Sequence, residues 1–187
     1  MYFYTIIIIG DIMSLKKQKI ISVFIAFGLC FPLHFLYDKF PSFFTSIFSP
    51  VNESIWEHMK LLFGSIIITG VIQKIYLIVK KEEIKNICFS NFIGAIISIP
   101  IYLIIFLPLY YIIGESMVLA ISVMLISIII AEYISYKLTF VKDFKLEKLT
   151  ILFVIITYII FTLLSYYPIK NDLFIDKKTS SYGISKK

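Results

Sequence analysis

The sequence predicts an all-α protein, an integral membrane bundle of about five transmembrane helices in one domain. Composition is the first observation behind this. Of 187 residues, 59% are hydrophobic and 17% aromatic, with a mean hydropathy of +0.93, outside the range of soluble domains. Spacing is the second. Apolar residues fall in five blocks, 20–37, 61–79, 87–113, 117–136 and 150–166, each close to the roughly 17–25 residues that a helix needs to cross the hydrocarbon core. Residues 13–167 form the membrane domain, 1–12 an N-terminal extension and 168–187 a polar tail. No block repeats another.

The extension is expected to carry no function. Its apolar run, 2–9, is too short to span and follows no basic segment, whereas Met13-Ser14-Leu15-Lys16-Lys17 reads like a natural start. The first span, 20–37, leads into a loop rich in Phe, Pro and Ser. Ser49-Pro50 is the predicted start of the second helix, serine capping and proline at the first helical position. The third block contains Pro100, which predicts a kink, and Pro108 near its end. Glu115 stands at the head of the fourth span, and Pro168 closes the fifth.

The net charge of +6 comes from 18 lysines without an arginine. These lysines sit in short loops rather than in a patch on a soluble face, so nucleic acid is excluded as a partner and the charge reads as topogenic. Ten lie before the first span or in the loops after the second and fourth, against Lys39 and Lys60 in the alternate loops. By the positive-inside rule the N-terminus is cytoplasmic and the C-terminus outside. The tail lysines (170, 177, 178, 186 and 187) run against this count. Cys30 and Cys88 fall at different depths and read as apolar fillers rather than a disulfide.

The densest polar run is Ser49 to Lys60, with the single tryptophan and one of two histidines. On a helix starting at Pro50, Glu53, Glu57 and Lys60 share one stripe, with Trp56 at its edge. One reading is an interfacial collar of solvated charges. The other is a polar pocket at the mouth of the bundle. His34 and Asp38, four apart at the same end of span one, converge on it, so the candidate cluster is His34, Asp38, Asn52, Glu53, Trp56, Glu57 and His58. Glu115, Asp172, Asp176 and Tyr182 reach the same depth. A metal held by two histidines and a carboxylate, with His34, His58 and Glu57 as candidates, has only slight support. HExxH, clustered cysteines and a third histidine are all lacking. Ser54 and His58 are four apart, but nothing marks an oxyanion hole. A second polar set, Gln73, Asn91 and Glu132, reads as a hydrogen-bond clamp between helices, with Glu132 half-wet. Lys74 is expected to snorkel to the headgroups.

The run SPVNESIWEHMKLLF, with His34-Phe35-Leu36-Tyr37-Asp38 upstream and Leu173–Asp176 and Ser181–Ile184 downstream, is similar to domain of unknown function family 6512. The resemblance spans roughly Met13 to Ile184. It implies a polytopic membrane protein of mainly Gram-positive, clostridium-like bacteria, and supplies no activity.

These readings favour a binding or transport-type membrane protein with its pocket at the outer face. Its partners would be the lipid bilayer, a small-molecule or lipid ligand and other membrane subunits. The rival is a membrane-embedded hydrolase, metal- or acid/base-dependent, acting on lipid or cell-envelope substrates. A structural or regulatory subunit is the third reading.

Overall fold

The structure, a computed structural model, describes residues 2–114 and 116–184, with side chains from Leu15 onward. Glu115 lies outside the described residues. Helix α1 runs over Tyr2–Lys39, α2 over Phe43–Phe48, α3 over Ile55–Lys80, α4 over Ile87–Ile113, α5 over Met117–Leu138 and α6 over Glu147–Tyr166. Strands β1 (Ile175–Asp176) and β2 (Ser181–Tyr182) form an antiparallel hairpin, Ile175 opposite Tyr182. Five stretches are long and apolar enough to cross a membrane: Leu15–Lys39 and the whole of α3, α4, α5 and α6. The fold is therefore the expected helical bundle. Helix α4 matches its predicted block to the residue and passes through Pro100 and Pro108 without ending.

Two differences lie in the segment before α3. The expected loop contains α2, started by a capping box in which the Ser42 hydroxyl accepts from Thr45 N and Thr45 Oγ1 accepts from Ser42 N. Helix α3 begins at Ile55 rather than Pro50, because Ser54 is the cap that accepts the Glu57 N–H. Ser49 is engaged elsewhere. Its hydroxyl donates to Leu33 O at 2.6 Å and accepts from Tyr37 N at 3.1 Å, bridging two backbone groups of α1. Residues 50–53 are thus loop, and Glu53 is not on the helical stripe of Glu57 and Lys60.

Helices α1, α3, α4 and α5 close a ring in that order, each packed on its two neighbours, and α6 lies outside against α2 and α4. Ile66, Ala95, Ile128 and Ala131 fill the interior, while Phe24, Ile104, Ile112 and Ile151 point outward. An apolar exterior suits lipid, where close packing between small side chains holds helices together. Ser98 and Ser127 are buried with their hydroxyls turned back on Ala95 O and Val123 O of their own helices. A Cβ on Gly94 would stand 3.1 Å from Ala131 O, so α4 meets α5 backbone to backbone there.

The expected clamp between helices is present, and Lys19 is at its centre. This lysine, counted from sequence as a topogenic loop charge, is 4% exposed. Its ammonium donates to Asn91 Oδ1, to Glu132 Oε2 at 3.0 Å and to Ser135 Oγ at 2.7 Å. Asn91 Nδ2 donates to Gln73 Oε1, and Gln73 Nε2 to Gln18 Oε1, both at 3.1 Å. Glu132 is buried, not half-wet. One charged pair, with its amide and hydroxyl partners, therefore joins α1, α3, α4 and α5 at the end where α1 enters the ring. Lys19→Met strands a buried carboxylate and should cost about 3–5 kcal/mol, read as a lower thermal midpoint in detergent. The double variant Lys19→Met/Glu132→Gln should recover much of that loss. Equal midpoints for wild type and Lys19→Met would show that the pair contributes nothing.

Candidate functional site

At the opposite end of the ring, the Ser49 to Lys60 stretch divides between two jobs. Glu57 and Lys60 face α2 and α6 and are 1% and 0% exposed. Lys60 Nζ donates to Glu57 Oε2 at 2.8 Å, to Ser46 O at 2.9 Å and to Ser49 O at 3.4 Å. The carboxylate also accepts from Val51 N at 3.1 Å and from Ser165 Oγ at 2.6 Å. These contacts tie α2, the 49–54 loop, α3 and α6 into one unit. They also rule out the solvated collar for Glu57 and Lys60.

Glu53 and His58 face the other way, toward α1. His58 Nδ1 lies 2.8 Å from Ser54 O, so that nitrogen carries the proton and Nε2 presents a lone pair. His34 Nε2 stands 3.3 Å from His58 Nε2. Glu53 Oε2 is 3.7 Å from His34 Nε2 and 3.8 Å from His58 Nε2. The three side chains are 23%, 19% and 33% exposed. The His34 imidazole, partly opposed by burial, holds the Glu53 carboxyl at about 2. His34 Nδ1 is buried without a hydrogen-bond partner among the described residues.

The trio sits on the wall of a cavity of about 420 Å³ inside the ring. Phe27, Phe31, Tyr102, Phe106 and Met124 supply apolar walls, and the hairpin segment brings Asp172, Asp176, Lys177 and Lys178 to its polar end. Lys178 Nζ is 3.6 Å from Glu53 Oε2. Lys177 Nζ lies 4.4 Å from the centre of the Tyr110 ring.

The tail is held over this end by specific contacts. Trp56 stacks on Phe174 at 4.7 Å and packs on Phe161. Trp56 N donates to Leu173 O at 2.8 Å, Asn52 Nδ2 to Gly183 O at 2.9 Å, and Ile184 N to Ser165 O at 3.1 Å. Asn52 and Trp56, both expected in the pocket, therefore dock the tail instead. Asp38 is exposed at the end of α1 and does not line the cavity. The carboxylate beside the histidines is Glu53 and not Glu57, because the helix starts five residues later than Ser49-Pro50 suggests. Ser54 uses its hydroxyl to cap Glu57 N, and its contact with His58 is through the backbone carbonyl. That arrangement removes Ser54 as a nucleophile. Sequence reasoning missed Tyr102, Phe106 and Tyr110, whose i, i+4, i+8 spacing on α4 was a legible signal for one aromatic wall.

A family model matches residues 9–184. The chain belongs to DUF6512, a family of unknown function. No curated protein and no solved structure matches it. In this DUF6512 member the family match takes in the trio, the buried Glu57–Lys60 pair and the docked tail alike.

Gly183 is the residue on which tail docking turns. Its φ is +61°, and a Cβ there would lie 2.4 Å from Ser165 O. Gly183→Ala should cost about 1–2 kcal/mol from the left-handed backbone alone, with the overlap adding to it. The sole tryptophan reports the outcome. Its emission should move to the red as Phe174 leaves Trp56, and an unchanged spectrum and midpoint would contradict the docking.

Proposed function

We propose that this protein is a membrane-embedded binding or transport-type protein that takes a small amphiphile into its ring. One observation carries the reading. The cavity has the volume and the mostly apolar walls of a ligand site, with a few polar groups gathered at one end. An apolar body would lie against Phe27, Phe31, Tyr102 and Phe106. An anionic head would meet Lys178 and the trio. The lysine distribution supports an outer-face opening: Lys80, Lys81, Lys85, Lys137, Lys142 and Lys145 belong to the opposite end of the bundle.

The trio also favours a second reading, a hydrolase acting on a lipid or envelope ester in the same cavity. A dansylated fatty acid and its ester separate the two. The acid should bind the purified protein with enhanced emission, and Ala120→Trp, which fills the cavity wall, should weaken binding about tenfold or more. Equal binding by the filled variant would overturn the site. Turnover of the ester by wild type alone would favour the hydrolase. In intact cells, a cysteine at Ser180 should react with an impermeant maleimide and one at Lys145 should not; the reverse would turn the opening to the cytoplasm.

A further inference from the structure

We infer that His34, Glu53 and His58 form a binding site for one divalent transition-metal ion of the zinc class, with an open coordination position toward the cavity. The geometry is the argument. A point equidistant from the three facing atoms lies about 2.1 Å from each, where Zn–N distances are about 2.0–2.1 Å and Zn–O distances about 2.0–2.2 Å. His34 comes from α1, while Glu53 and His58 come from the loop before α3 and its first turn, and the three atoms all lie within 4.8 Å of one another.

Charge and tautomer agree with that. His58 donates its Nδ1 proton to Ser54 O, the backbone contact that orients an imidazole for coordination through Nε2. With His58 Nε2 bare, His34 can meet it only by giving up an Nε2 proton into a single hydrogen bond or by sharing a cation with it. Two neutral imidazoles and a carboxylate leave the bound ion with a net positive charge of one. An anionic fourth ligand would neutralise it. Imidazole and carboxylate donors suit zinc better than the all-oxygen sets preferred by magnesium and calcium. Three protein ligands with a fourth place open is the pattern of sites that bind an exchangeable group. Lys178 is 64% exposed, so its ammonium can leave Glu53 for solvent or pair with the anion at the open position. The buried pair Glu57–Lys60 takes no part in ligation. It holds the loop that carries Glu53.

The site deepens the amphiphile reading, because the ion would be what the ligand's head engages. It does not depend on that reading, since a zinc titration needs no amphiphile. The test uses untagged full-length protein in detergent, stripped with chelator and titrated with Zn²⁺. The expected result is one ion per chain, a higher thermal midpoint, and no response to Mg²⁺ or Ca²⁺. Loss of a partner that merely orients a ligand costs 10–100-fold in affinity, so His34→Gln, His58→Gln and Glu53→Gln should each weaken binding by about a hundredfold or more. Asp38→Asn should leave it unchanged. Co²⁺ added to the wild type should give the intense visible bands of a four- or five-coordinate ion, a readout that needs no variant. Failure to retain zinc, binding that survives loss of both histidines, or only the faint bands of octahedral cobalt would overturn the site.

Discussion

The buried ion pair between Glu57 and Lys60 is the constraint on which this end of the molecule depends. A lysine with no exposed surface is tolerated only where its charge and its donors are all met. Here they are met by Glu57 and by the Ser46 and Ser49 carbonyls at the end of α2. The carboxylate in turn takes Val51 N and Ser165 Oγ. One pair thereby fixes a short helix, a loop and the outer helix α6 against α3. Glu53, in that loop and four residues before Glu57, inherits its position from that arrangement.

The two ends of the ring use the same device for different purposes. Around Lys19, a charged pair with amide and hydroxyl partners joins the four ring helices in one enclosed network, and the Lys19 ammonium has three protein acceptors. Around His34, by contrast, imidazole nitrogens and a carboxylate face one another at the wall of a cavity, with His34 Nδ1 unpartnered among the described residues. Saturated polar networks rigidify, whereas unsaturated ones at a cavity are where ligands gain affinity.

The helices were legible because lipid imposes a length and a composition on each span, and neither requires knowledge of partners. Pro100 and Pro108 did not obscure α4, since its block carries no charged residue and is mostly apolar. The clamp residues Gln73, Asn91 and Glu132 were legible as polar groups at one depth. Lys19 was not, for it stands beside Lys16 and Lys17 in sequence and its partners are 72 to 116 residues away. The histidines could be paired by depth, but the choice of carboxylate turned on which serine caps α3. Ser49-Pro50 carries the stronger local signal. Ser54 is the cap because the Ser49 hydroxyl is taken by α1, a long-range fact. The tail read as polar, with Asp172, Asp176 and Tyr182 at the depth of the cluster. Its docking rests on Phe174, backbone bonds and the left-handed Gly183, of which only the glycine could be read in advance.

The buried pair sets the geometry of the proposed trio without touching it. The most direct measurement is the zinc affinity of the double variant Glu57→Gln/Lys60→Met. It removes both charges at nearly constant volume and leaves every proposed ligand in place. With the Trp56 emission showing that the tail is still docked, affinity should fall about tenfold or more, as it does when the groups that orient metal ligands are lost. Wild-type affinity in that folded variant would contradict the account.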